Sequence, residues 1–259
     1  NLSRSVGTAV SMSVGLSLFV GVQTWGYSML VPFSPDTSTP GTLVSFLHTE
    51  FKPADVPELM ARSSLRNSRM YPIYVDEPDI APAQMKTPGF SGMRNRSIVL
   101  AGIPVAEMAQ GSHPLFRPVF VSGNPQEAYA MLESTRSLLI PDTFARTVGL
   151  KAGDDLMLVN PSHQGRRSGN APSAGAHGRG RGPGMQGEPW KVAGVVSFPG
   201  WHWLTKTSGM RVRRGGFVAA LAIADERWLK EEYGHQGFQF IWGDTAPGVS
   251  NLELQNDLG

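Results

Sequence analysis

Between Arg4 and Asp36 the chain runs for thirty-one residues, SVGTAVSMSVGLSLFVGVQTWGYSMLVPFSP, without one Asp, Glu, Lys or Arg, although charged residues make up 17% of the whole. A hydrocarbon core about 30 Å thick is crossed by roughly 20 apolar residues in helix, and Val6 to Val31 supplies that length. Ser13, Ser17 and Gly21 recur at the small-xxx-small spacing that lets a second membrane helix approach closely, and Trp25 and Tyr27 suit the water interface of a bilayer. Arg4 is the charge that precedes the run, so the positive-inside rule puts the N-terminus in the cytoplasm and the chain after Pro32 outside. A cleavable signal would carry a shorter apolar core and a small-x-small cleavage site, which VQTWGYSM fits poorly, and a buried soluble helix would be shorter with a polar face. Residues 1–35 are therefore expected to form a transmembrane helix and stalk. A start at Asn1 and the polar ending SNLELQNDLG suggest a fragment of something longer.

The remaining residues, 36–259, are expected to form one extracytoplasmic domain. A chain of 259 residues with 41% hydrophobic content can bury a core without staples, and the absence of cysteine removes disulfides, thiolate zinc sites and cysteine nucleophiles together. The net charge of +2 is misleading as a guide to partners. Arg166, Arg167, Arg179 and Arg181 face only Glu188 within residues 161–189, so the rest of the chain is close to neutral and a nucleic-acid partner is not indicated. That segment, PSHQGRRSGNAPSAGAHGRGRGPGMQGEP, holds eight glycines and one large apolar side chain, Met185. It cannot bury enough surface to offset its ordering entropy and reads as a disordered loop inserted between two strands.

Punctuation along the domain predicts alternating strands and short helices. TLVSFLHTEFKPADVPELMARSS reads as extended chain and then a helix capped by Asp55, with Pro57 in its first turn. RMYPIYVDE, RSIVLAGIPV and HPLFRPVFVSG are β-rich, and NPQEAYAMLEST is a helix opened by Asn124 and Pro125. Then SLLIPDTFARTVGLKAGDDLMLVN gives a strand at Leu138 to Ile140, a helix capped by Asp142 and ended by Gly149, a turn at Lys151 to Gly153, and a strand at Leu156 to Val159. WKVAGVVSF, GFVAALAI and GFQFIWGD are further strands, with ADERWLKEEYG a helix capped by Asp225.

Motifs for catalysis fail on context. No Gly-Lys dipeptide occurs, so there is no Walker A loop, and no H-E-x-x-H exists. Gly182, Gly184 and Gly187 match G-x-G-x-x-G, but no strand precedes them and Pro189 follows. GFSGM around Ser91 resembles a nucleophile elbow, yet Met93 stands where glycine is required. Asp76, Glu77 and Asp79 read as an acidic turn, because the sequence places no partner His or further carboxylate beside them. GRGRG resembles RGG-type RNA-binding segments, but an outward-facing loop suits anionic lipid or solvent better. Neither a cofactor nor a metal is expected. The candidate interface is FPGWHWLTKTSGMRVRRG, in which Trp201, His202, Trp203, Lys206, Arg211, Arg213 and Arg214 mix aromatic and cationic groups as contact surfaces do. Tryptophans closing a core beside solvated arginines would give the same pattern.

The order of these pieces resembles the MacB-like periplasmic core domain of FtsX-like ABC transporter permeases. The resemblance lies mainly in 136–200, at Val148, Gly149 and Leu150, then Gly153 and Asp154, then Val192, Gly194, Val195 and Val196. It implies an α+β fold, with a long N-terminal helix followed by a mixed sheet and short helices. It further implies a non-catalytic permease subunit with four membrane helices, in the cytoplasmic membrane, with this domain outside between the first two. The implied partners are a cytoplasmic ATP-binding subunit, a second permease in a homo- or heterodimer, the membrane itself and an extracytoplasmic protein. Coupling to ATP hydrolysis would drive export or mechanotransmission. The Gly/Arg-rich insertion and the Trp-His-Trp segment are not general features of the family. The alternatives are a single-pass anchored binding module without an ATPase and, more remotely, an anchored hydrolase using Ser91.

Overall fold

The structure is a computed structural model of the chain, and it describes residues 2–30, 37–46, 49–159, 187–207, 209–210 and 218–258. Helix α1 spans Leu2–Leu30, and its stretch Ser5–Leu30 is long and apolar enough to cross a membrane, with none of its apolar window buried. Val10, Leu16, Phe19 and Trp25 are all exposed on its different sides. A helix apolar all round has no polar face to give to water, and the glycines that would weaken it there are common in membrane helices.

Among the described residues ten strands form one sheet in the order β1 (Thr42–Ser45), β10 (Phe240–Asp244), β2 (Arg69–Asp76), β4 (Val99–Ile103), β9 (Leu221–Asp225), β6 (Ser137–Pro141), β8 (Glu188–Ser197), β7 (Asp155–Val159), β3 (Asp79–Ile80), with β5 (Val119–Ser122) paired to β8 off this path. The sheet is mixed: β4 runs parallel to β9 and β6 parallel to β8, while the other pairings are antiparallel. The α+β expectation holds. Every residue of β4, β6 and β9 is buried, so both faces of the sheet are covered.

Side-chain alternation sends neighbouring residues to two cores. Leu100, Leu138, Ile140 and Ala222 join one, where α2 (Val56–Met60), α5 (Asp142–Val148), α6 (Glu226–Tyr233) and α7 (Asn251–Leu258) contribute Leu59, Phe144, Leu229 and Leu254. Val99, Ala101, Leu139 and Ile223 join the other, beneath α3 (Val105–Met108) and α4 (Pro125–Ser134). Along β8 the alternation slips: Trp190 and Val192 share a core with Val195, and Ala193 shares one with Val196. The register against β6 shifts at the same place, from Leu138↔Val192 to Leu139↔Gly194, which is the signature of a one-residue bulge.

Two of the predicted caps bond their helix N-terminus, one stands at the cap position without bonding it, and one lies inside its helix. Asn124 Oδ1 accepts from the N–H groups of Gln126 and Glu127, and Asp225 Oδ1 from that of Arg227. Asp55 stands at the cap position of α2, but its side chain accepts from the Lys52 N–H at 2.7 Å, closing a 3-10 turn at Pro53–Asp55 that precedes the helix. Asp142 lies inside α5, whose cap position is Pro141, and it pairs with Arg146 at 2.7 Å. Gly149 ends α5 at φ 75°, and Gly153 turns the chain at φ 95°, left-handed conformations that cost a glycine nothing sterically.

The disordered loop expected over 161–189 lies outside the described residues except at its end. There β8 already begins at Glu188, and Gly187 is buried with no room for a side chain, since a Cβ would lie 2.8 Å from that of Ala81. The G-x-G-x-x-G glycines at 182 and 184 are likewise outside the described residues. The acidic turn is not a solvated one: Glu77 and Asp79 are buried, and Asp79 sits in β3 opposite Val159. Helix α7, in a stretch read only as a polar ending, docks through Leu254 and through Asp257, whose Oδ2 accepts from the N–H and hydroxyl of Ser64.

Candidate functional site

The candidate interface begins where β8 ends. Trp201 and His202 open a short helical stretch that continues as a π-turn, Trp203–Thr207. Such turns are rare and re-aim side chains relative to an α-helix. The result parts Trp203 from its two neighbours, Trp201 and His202, which both border one cleft. Trp201 is 6% exposed and packs in the core beneath α4 with Leu204, its indole 3.6 Å from the His202 ring by centroid. For Trp201 the core-closing role therefore applies. His202 and Lys206, four residues apart, turn to a cleft of about 350 Å³. Trp203, half-buried, turns to a different cleft of about 530 Å³ beside β1 and α7. Arg211, Arg213 and Arg214 lie outside the described residues.

Topology explains the first cleft. Strands β6 and β8 end, and β4 and β9 begin, at the same border of the sheet, so four connections converge there. They bring Arg94, Asn95, Thr143 and Thr147 to face His202 and Lys206. Thr147 Oγ1 donates to the Thr143 carbonyl at 2.8 Å and keeps its lone pairs for a visitor. Burial, and then the Lys206 ammonium, hold the His202 imidazole below its ordinary value of 6.5. With Arg94 and Lys206 at its mouth, the cleft is suited to an anionic group on a partner. Arg94, Thr143 and Thr147 were not singled out in the sequence, because they come from two connections distant from the Trp-His-Trp segment.

Along α1 the i,i+4 spacing does bring Ser13, Ser17 and Gly21 to one side, where with Val14, Leu18 and Trp25 they line a shallow groove of about 540 Å³. Among the described residues no heavy atom outside the helix lies within 4 Å of where a Cβ on Gly21 would be.

No family model and no curated protein matches the chain. Among solved structures, it is similar to the extracellular domain of the noncanonic ABC-type transporter YknZ from Gram-positive bacteria, at 11% identity and a TM-score of 0.39 over 87% of this chain and 85% of that one. It is also similar to the periplasmic region of MacB from Actinobacillus actinomycetemcomitans, at 11% identity and a TM-score of 0.40 over 81% of this chain and 72% of that one. At such identity and TM-score neither likeness carries an activity over to this chain.

The residues considered for other chemistry sit elsewhere. Ser91 Oγ donates to the Pro88 carbonyl at 3.1 Å within its own exposed turn. Asp76 Oδ2 lies 3.4 Å from His235 Nε2, and its Oδ1 accepts from the Glu77 N–H. Among the described residues no three His, Asp or Glu side chains are grouped to hold a metal ion.

Proposed function

We propose that the chain is the first membrane span and the extracytoplasmic domain of an ABC transporter permease, in which a cytoplasmic ATP-binding subunit drives movement of the outer domain for export or mechanotransmission. The observation that carries this reading is α1, apolar on every side with none of its window buried, leading directly into a mixed-sheet domain. Such a helix finds its favourable surroundings in lipid, and the domain then stands on the far side of the membrane from Arg4. The strand, helix, turn and strand of 137–159, closed by β8, are the segment on which the family resemblance rests. In this reading the groove at Ser13, Ser17 and Gly21 receives another membrane helix, from the same permease or its dimer partner. His202 and Lys206 in one cleft, and Trp203 in the other, are contact points for an extracytoplasmic partner, together with Arg211, Arg213 and Arg214.

The test is the coding sequence beyond Gly259 together with topology mapping by reporter fusions. Three further spans with a cytoplasmic C-terminus, and an ATP-binding subunit that copurifies, are the expected result. A stop soon after Gly259 would overturn it and leave a single-pass anchored binding module.

A further inference from the structure

The two ends of the sheet are finished differently. At β3, only two residues long, the outer side is occupied: the Ile80 N–H donates to the Arg96 carbonyl and Asp79 bridges to Ser97. At β1 the pairing with β10 runs Thr42↔Gly243, Leu43↔Trp242, Val44↔Ile241, Ser45↔Phe240, and the next residue, Phe46, donates its N–H to the Gln239 carbonyl at 2.8 Å. In an antiparallel ladder hydrogen-bonded and non-bonded pairs alternate, so Thr42, Val44 and Phe46 spend their backbone groups on β10. Leu43 and Ser45 aim theirs away from the sheet.

An open edge is normally blunted or covered. Here it is recessed. Val44 and Phe46 pack on the side of the sheet that carries Leu254 and Leu258 of α7, and Leu43 packs on the opposite side with Trp203. Both walls line the same cleft of about 530 Å³, which has β1 as its floor. Among the described residues none that lines it is charged: the polar ones are Thr42, Ser45, Thr49, Asn251 and Gln255. Its floor from Thr42 to Phe46 is about 17 Å long at the rise of a strand.

We propose that this trough binds a single extended, uncharged segment of a partner protein as an added strand beside β1. The segment's main chain pairs with the N–H and C=O of Leu43 and Ser45. Its side chains alternate, one set against Trp203 and the other against Leu254 and Leu258, so main-chain bonds supply affinity and the two walls supply selection. A neutral lining strips water from any charged side chain without pairing it, which selects against charged strands. A second copy of this chain does not fit, because its own β1 lies between the same two walls and a recessed edge cannot reach another. Strand β5 is also an edge, but Val119 and Val121 stand 65% and 60% exposed there.

The probe is a capped peptide of alternating Thr and Val, six residues long, added to the full chain in lipid nanodiscs and followed by hydrogen exchange at single amides. The expected result is slower exchange at Leu43 and Ser45 by about tenfold or more at saturation, and no effect from the same peptide with every backbone nitrogen methylated. Ser45→Pro removes one outward N–H and leaves the β10 ladder intact, a place where an edge strand tolerates proline. It lowers affinity by about tenfold with little change in melting temperature. If Ser45→Pro fails to fold, the methylated peptide decides the matter. Val121→Lys on β5 leaves binding unchanged. Unchanged exchange at both amides, equal binding of the methylated peptide, or loss of binding in Val121→Lys would each overturn the proposal. So would protection that rises with protein concentration alone and tracks a doubled mass, since a second copy would then be the occupant.

Discussion

Asp257 accepts two hydrogen bonds from Ser64, one from its N–H at 2.8 Å and one from its hydroxyl at 2.6 Å, across 193 residues of chain. Arg62 adds a bond from Nη1 to the Asp257 carbonyl. This clasp fixes the helix that forms one wall of the β1 trough. The Ser64 hydroxyl and N–H hold the Asp257 carboxyl below its ordinary value of 3.8. A depressed carboxyl contributes stability that is present above the unfolded value and is lost as pH falls through the folded one. Amides of Leu254 to Leu258 should therefore exchange several-fold faster in Asp257→Asn at neutral pH, and in the unaltered protein only below about pH 4. Exchange that is the same in both proteins would show that the clasp contributes nothing.

Trp201 and Trp203 should separate stability from binding. Trp201→Ala empties a site that is 6% exposed and should cost about 3–5 kcal/mol in urea unfolding. Trp203→Ala removes a half-buried wall and should cost no more than about 2 kcal/mol while abolishing selection for the strand residue that faces it. Equal costs would mean that both rings belong to the core.

His202 should make the domain weaken on mild acidification. Its folded value lies below 6.5, so between the two values the unfolded chain binds more protons than the native one, and stability rises with pH across that window. The contribution is complete above about pH 6.5 and lost as pH falls through the folded value. Urea midpoints of the unaltered protein should drop from pH 7.5 to pH 5.5, and His202→Gln should flatten that part of the slope. A slope unchanged in His202→Gln would assign the acid sensitivity elsewhere.

Gly194 lies at the bulge of β8, where an added Cβ would meet Phe120 Cε1 at 2.7 Å and Leu139 Cδ2 at 3.2 Å. Gly194→Ala should cost about 1–3 kcal/mol by forcing the Phe120 ring aside. That ring packs edge-on against Tyr129 at 5.7 Å, and burial pushes the Tyr129 phenol up to about 12. Ultraviolet titration should then find one tyrosine ionising earlier in the variant. An unmoved tyrosine curve would mean that Phe120 shifts without opening its neighbour.

Much of this architecture was legible because its signals are local. Asn124 and Asp225 stand directly before a helical run, and Gly149 and Gly153 stand where only a left-handed residue ends a helix or closes a turn. Asp55 and Asp142 are chemically as good as caps, but a 3-10 turn takes the Asp55 carboxylate back to the Lys52 N–H, and the Pro141 end of β6 starts α5 one residue before Asp142 can cap it. Helix α7 carried a readable sign, the reciprocal bonds between Ser250 and Glu253, yet its stability comes from Ser64 far away. The clefts were least legible. Trp203 meets β1 only because the π-turn aims it there, and Arg94 meets His202 only because four strand ends share one border of the sheet.

Strand β9 arrives late in the chain and takes the middle of the sheet, between β4 and β6, while β10 closes on both β1 and β2. No early portion can therefore complete its own sheet. A nascent chain that has emerged only as far as residue 220 holds two raw strand edges where its centre should be, and it gains its cooperativity in one late step. For a segment that must assemble after leaving the machinery that makes it, the interval before that step is when a chaperone would be needed most.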